Sequence, residues 1–283
     1  MVGSEKRSLG QASRDAAELP RKGFPDLRFI DSHVHLGDYA DPLQELRFAS
    51  ASGGLLVTAG TDAKNSSQGI AYSTEWPTLV KAFVGVHPSE AERGGMPGWL
   101  EGALRRATGI GEVGLDPKYS EVSKESTQMK LFRFQVGLAE RARKPLQVHS
   151  RGAERECLDT LGTFNLRGVL LHWYQGEETV AEASERGYFA SFGPAILVSK
   201  RLKRMALAWD RNHVLAESDG PVRFAALGGV GGSSLVPSVV FGLAELFGWS
   251  FEETAVSLVR NSLEFLGQPH LGSAGGANPA SKA

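Results

Sequence analysis

Leu27-Arg-Phe-Ile-Asp-Ser-His-Val-His-Leu36 is too short for a helix and rich in β-branched and aromatic side chains, and it runs straight into groups able to bind a cation. Seven further runs share its character: Gly54–Ala59, Ala82–Val86, Thr108–Val113, Pro145–Val148, Gly168–Leu171, Tyr188–Ser191 and Val214–Glu217. Each is flanked by Gly, Pro or Ser, which turn the chain at strand ends. Longer amphipathic stretches separate them. Ser123–Arg143 places Leu131, Phe134, Leu138 and Ala142 on one stripe and gathers Arg and Lys in its last turn, where cations favour a helix end. Glu177–Arg186, Ser199–Asp210, Pro237–Phe247 and Phe251–Phe265 read the same way. Strands that alternate with helices pair in parallel. The chain therefore reads as α/β, either eight units closed into a (β/α)8 TIM barrel or an open doubly wound sheet. The number of units and the polar residues at the strand ends favour the barrel.

Composition bounds the function. The 283 residues slightly exceed the roughly 250 of one such barrel. A hydrophobic fraction of 41% is enough for a large core and excludes a wholly disordered chain. Net charge is −1, so no basic field holds nucleic acid non-specifically, and a phosphate-bearing substrate needs another grip. The single Cys157 excludes an intrachain disulfide or a thiolate zinc cluster and reads as a small core residue. Apolar runs fall short of the ~18 residues a bilayer needs, and the first residues lack a signal peptide's apolar centre. A cytoplasmic protein without a membrane partner is expected. Residues 1–26 read as a polar extension, 27–268 as the barrel domain and 269–283 as a flexible tail.

In a barrel, the C-terminal strand ends meet at one mouth. The first run ends in Asp31-Ser-His33-Val-His35, and the fourth in Gly111-Glu112-Val-Gly114-Leu-Asp116. The fifth ends at His149, the sixth at His172 and the eighth in Glu217-Ser218-Asp219. Imidazoles and carboxylates spread over roughly 190 residues thus converge, as a metal site requires. On a strand, residues i and i+2 share a face, so His33 and His35 both address the axis and can hold one ion. Taken singly, His149 and His172 read as hydrogen-bonded structural histidines, and Glu112 and Asp219 as helix caps. Their joint placement at strand ends favours ligation. His87, in Gly85-Val-His-Pro88, faces the same mouth as a contact to substrate or to the ligands, whereas His213 precedes a strand and belongs to the floor.

Six ordered segments now resemble the TatD family of metal-dependent hydrolases and deoxyribonucleases, a branch of the amidohydrolase-like barrels. They are Ile-Asp-Ser-His-Val-His-Leu (30–36), Gly-Val-His-Pro (85–88), Ile-Gly-Glu-Val-Gly-Leu-Asp (110–116), Val-His-Ser-Arg-Gly-Ala (148–153), Leu-His-Trp-Tyr-Gln-Gly (171–176) and Glu-Ser-Asp-Gly-Pro (217–221). The likeness runs from about Phe29 to Leu266. It implies that His33, His35 and Asp219 hold one metal, that His149 and His172 hold a second, and that Glu112 bridges them. Related barrels that bridge with a carbamylated lysine need a Lys where Glu112 stands. Departures lie on the substrate side: Ser89 after His-Pro, Trp173-Tyr-Gln-Gly176 after the sixth strand, and the glycine-rich 228–237 after Pro221.

The resemblance implies a metal-dependent hydrolase with a dinuclear site, acting as a deoxyribonuclease or phosphodiesterase through a metal-bound hydroxide. Two divalent ions are expected, drawn from Zn, Mg, Mn, Fe or Co. DNA, and by extension RNA, is the expected substrate. The alternative is an ester or amide hydrolase, on aminoacyl-tRNA or a small metabolite, with the same metals; a non-catalytic barrel would have lost a ligand. Asp219 and Glu112 are the expected catalytic carboxylates. His87, Arg151 and Trp173 are the expected substrate contacts. Arg151 reads either as a fork for phosphate or as a surface ion pair, and Trp173 and Tyr174 either stack on a base or pack under a loop. Asp116 is expected to orient a neighbouring ligand.

Overall fold

The computed structural model describes residues 28–268 apart from 124–125 and 225–228. Eight strands form one sheet in chain order, with every adjacent pair parallel. They are β1 (Phe29–Val34), β2 (Gly54–Thr58), β3 (Val80–Val84), β4 (Gly109–Gly114), β5 (Leu146–His149), β6 (Val169–Leu171), β7 (Phe189–Phe192) and β8 (Val214–Ala216). Each expected run carries one, with ends displaced by a residue or two. Among the described residues no ladder pair joins β8 to β1. Instead Ser32 Oγ donates to the Ala216 carbonyl (2.8 Å), Asp219 N to His33 O (3.0 Å) and His35 N to Gly220 O (2.8 Å). These bonds close the seam, so the sheet is a (β/α)8 barrel and not an open one.

The helices are α1 (Leu43–Ser52), α2 (Ala63–Glu75), the short α3 (Ala91–Gly94) and α4 (Leu100–Leu104), α5 (Thr127–Ala142), α6 (Glu154–Leu161), α7 (Val180–Glu185), α8 (Lys200–Ala208), α9 (Val236–Phe247) and α10 (Phe251–Phe265). Their starts follow from side chains that take up free backbone N–H groups. Asp62 accepts from Asn65 N, Ser126 from Met129 N, Ser199 from Leu202 N, and Ser250 forms a capping box with Glu253. Gly53 and Gly248 end α1 and α9 in left-handed backbone. The helices bury one side of the strands: Val84, Ile110, Val148, Leu171, Phe192 and Ala216 join their core. A separate apolar cluster fills the lower barrel, with Ile30, Val57, Phe83, Leu170, Phe189 and Leu215 meeting α10. Phe265 touches both Phe83 and Phe189, from strands on opposite sides, at 5.7 Å between centroids, and so plugs that end. His213 lies beside Phe189 at this floor, as expected. The other end is left to polar groups.

Among the described residues no single helix is long and apolar enough to cross a membrane. The extension read over 1–26 and the tail over 269–283 lie outside the described residues.

Candidate metal centre

Strands β5 to β8 alternate regularly. Leu146 and Val148, Val169 and Leu171, Ala190 and Phe192, Val214 and Ala216 pack under the helices. The opposite parity turns His149, His172, Ser191 and Glu217 into the upper barrel. Strands β1 and β4 do not alternate regularly. Register shifts fall between Asp31 and Val34 and between Ile110 and Val113. In β1, Ile30 joins the interior cluster while Val34 packs against α1. Strict alternation from Ile30 would have turned His33 and His35 outward, and the bulge reverses this. In β4, Ile110 and Val113 both join the helix-side core, which leaves Glu112 facing the axis.

Glu112 stands at the middle of what results. Its Oε1 lies 2.7 Å from His149 Nδ1, 2.8 Å from His172 Nε2 and 3.5 Å from His87 Nε2. Its Oε2 lies 3.4 Å from His35 Nε2 and 3.6 Å from His33 Nε2. Asp219 Oδ1 completes that side, 3.4 Å from His35 and 3.8 Å from His33. Asp219 follows β8 in left-handed backbone (φ 49°) and is tied to His33 through the seam. Among the described residues three groupings of donor atoms are tight enough to hold an ion: His33, His35 and Asp219; His33, Glu112 and His172; His87, Glu112 and His149. All the expected metal-site residues meet, and His87 joins them as a further nitrogen.

The chemistry of this set calls for positive charge. His33 Nε2 and His35 Nε2 point at one another across 3.2 Å, which two neutral lone pairs do not do without a proton or cation between them. The buried carboxylates Asp31, Glu112, Asp116, Glu217 and Asp219 crowd the same strand ends. Burial alone would raise the Glu112 carboxyl, but the imidazoles of His87, His172 and His149 outweigh it and hold it well below the usual range. Burial would lower His35, but Asp219 and Glu112 lift it to about 9. Burial likewise opposes ionisation of His172, and Glu112 and Glu217 overcome it and raise its pKa. Five imidazoles beside two facing carboxylates suit a divalent transition ion, so the residues fit a metal.

A cavity of about 360 Å³ opens above the cluster, and its wall includes Asp38, Tyr119, Arg151, Trp173, Gln175 and Val222. Arg151 lines it and pairs with Asp116 (2.5 Å), the ion pair of the two readings. Asp116 accepts from His149 Nε2 at 2.8 Å and is pulled down to about 2 as hydrogen bonds from His149, Lys118 N and Arg151 outweigh its burial. Trp173 (φ 39°) lines the cavity and stacks on Phe224, whereas Tyr174 turns into the core, bonded to Thr179 and packed on Trp209. The left-handed turn at Trp173 separates these neighbours, so Tyr174 packs under the loop. Cys157 is buried and unpaired, as expected.

Two further buried acids, Asp31 and Glu217, support the strand ends. Asp31 accepts from Ser218 N (2.8 Å), Ser218 Oγ (2.6 Å) and Ser233 Oγ (2.8 Å), fixing the turn that carries Asp219. Burial raises it to about 7 against those bonds. Glu217 accepts from Ser191 Oγ at 2.5 Å. The alternation of Leu215 and Glu217 on the last strand was the available signal for it.

A closed eight-stranded barrel with a histidine–carboxylate cluster at its mouth defines a metal-dependent hydrolase architecture. The chain belongs to the TatD related DNase family, whose model matches residues 30–267. It is 30% identical to the human deoxyribonuclease TATDN3, over 68% of this chain and 77% of that protein. It is 26% identical to the uncharacterized metal-dependent hydrolase TatD of Mycobacterium tuberculosis, over 82% and 96% respectively. Among solved structures it resembles YJJV, a TatD homologue from Escherichia coli K12 (TM-score 0.75, 22% identity), over 86% of this chain and 99% of that one. A TatD family hydrolase from Entamoeba histolytica superposes with TM-score 0.72 at 18% identity, over 84% and 98%.

Proposed function

We propose that the protein is a metal-dependent phosphodiesterase acting on nucleic acid, a deoxyribonuclease, with two divalent ions. The position of Glu112 carries this reading, since one of its oxygens faces His33 and His35 while the other faces His149 and His172. In this reading His33, His35 and Asp219 would hold one ion and His149 and His172 the other, with Glu112 available to both. Zn, Mn, Fe or Co suits the nitrogen-rich set, and Mg suits it less. When bound, such ions polarise a phosphoryl oxygen and bring the ionisation of water near neutral pH.

The protein's own groups do the rest. Asp219, with Oδ1 turned to the histidines, takes the proton of the attacking water on Oδ2. Asp116 holds the His149 ring in place from its far nitrogen. Arg151, half-exposed on the cavity wall, meets a phosphate oxygen. Trp173, braced on Phe224, offers a face to a base. The domain is 27–268, and a cytoplasmic setting belongs to the same reading.

The test pairs elemental analysis with a screen of metal-reconstituted protein on single-stranded DNA, RNA, a generic phosphodiester and a carboxyl ester. Close to two equivalents of metal and chelator-sensitive cleavage of DNA are expected. Metal-free protein after metal-replete expression would refute the reading, and turnover of the ester alone would replace it with the esterase alternative.

A further inference from the structure

Three consecutive strands place three buried polar side chains side by side: His172 after β6, Ser191 on β7 and Glu217 after β8. Glu217 touches nothing in the cavity and has no part in the chemistry above. Ser191 Oγ donates to its Oε2 at 2.5 Å, and that same oxygen lies 3.7 Å from His172 Nδ1. Two atoms here lack a hydrogen-bond partner, His172 Nδ1 and Glu217 Oε1. Buried polar atoms seldom remain so.

The chemistry of His172 decides what they are for. Its Nε2 points to Glu112 Oε1 at 2.8 Å, and its ring is held parallel to His33 at 3.9 Å. As a metal ligand through Nε2 this imidazole would carry its remaining proton on Nδ1, and that proton needs an acceptor. The carboxylate facing Nδ1 is Glu217, itself aimed by Ser191.

We infer that Glu217 is a positioning residue that accepts the Nδ1 proton of His172 and so holds the Nε2 lone pair toward one of the two metal positions, with Ser191 fixing the carboxylate. The inference rests on the dinuclear reading above. Glu217 acts through His172 and touches neither substrate nor ion. Its loss therefore affects one metal position and leaves the His33–His35–Asp219 side intact.

The test uses the full chain, stripped of metal and titrated with cobalt(II) against a chromophoric chelator while the visible cobalt spectrum is recorded. Wild type is expected to take up two ions with distinct spectral steps. Glu217→Gln keeps the side chain's size, and it should retain one step while weakening the other about 10–100-fold, with a shifted band for that ion. Ser191→Ala leaves the carboxylate but frees it, and should weaken the same step by less. It also carries the test by itself if Glu217→Gln fails to fold. Thermal melting of the metal-free variants separates a general packing defect, which would weaken both steps together and overturn the inference. Two wild-type steps in both variants would also overturn it while leaving the dinuclear reading standing. A wild type that takes up no cobalt would overturn both.

Discussion

Gly114→Ala should cost the protein both stability and the pairing of Glu112 with His149 in the candidate metal site. Gly114 sits at φ 148°, directly opposite His149 in the β4–β5 register. A Cβ built there would lie 1.8 Å from the His149 carbonyl oxygen and 2.8 Å from its carbon. Carbon approaches such an oxygen to about 3.3 Å, so the strands must part by about 1.5 Å at that point. The obstacle is backbone, which cannot swing aside as a side-chain tip would. Overpacking costs about 1–3 kcal/mol and the unfavourable φ a further 1–3, so a total of about 2–6 kcal/mol is expected. The displacement falls on the two strands that hold Glu112 and His149 2.7 Å apart, and a shift of about 1 Å in such a pair costs on the order of 100-fold in rate. Gly187→Ala is the control. It too has a positive φ (71°), but open space surrounds it, and only about 1 kcal/mol is expected. Urea unfolding followed by circular dichroism measures the stability, and elemental analysis the metal. If Gly114→Ala unfolds no earlier than Gly187→Ala and retains full metal, the close β4–β5 approach does not support the site.

Phe265→Ala removes the ring that meets Phe83 and Phe189, and should cost about 3–5 kcal/mol in chemical denaturation while metal content stays at the wild-type value. Glu112→Gln and Asp219→Asn should each abolish chelator-sensitive hydrolysis with the circular dichroism spectrum intact, and full activity in either would remove that residue from the mechanism. Asp116→Asn withdraws the carboxylate behind His149 and should weaken metal retention about 10–100-fold, read by chelator competition. The Asp116 carboxyl is held at about 2, below its value of 3.8 in an unfolded chain, so its stabilising contribution is present above pH 3.8 and is lost as the pH falls toward 2. Acid titration of Asp116→Asn should accordingly show a shallower loss of stability over that window, and an unchanged slope would contradict the assigned interaction.

The barrel was legible because its information is local. Each strand is a short apolar run bounded by turn residues, and the helices expected from Ser199 and Phe251 begin where Ser199 and Ser250 cap them. The candidate site was legible for a related reason: strand ends converge in such a fold, so His149, His172 and Asp219 could be placed together across long stretches of chain. What periodicity could not supply was side-chain direction where the alternation breaks. The pairing of His33 with His35 follows from a two-residue repeat, but that both face the axis depends on the register shift before Val34, and the inward turn of Glu112 on the shift before Val113. The division between Trp173 and Tyr174 depends on one left-handed residue, which neither side chain announces. Asp31 was visible as a letter in the first motif, yet its partners Ser218 and Ser233 come from the far end of the sequence.

That distance matters for how the protein matures. The seam bond from Ser32 to Ala216 spans 184 positions, and Asp219, the last ligand in the proposed set, arrives only with the final strand. A nascent polypeptide, or one truncated before this point, holds Glu112 and several histidines but lacks the Asp219 side of His33 and His35. The His33–His35–Asp219 grouping should therefore form only when N- and C-terminal strands meet, which ties that side of the cluster to closure of the barrel.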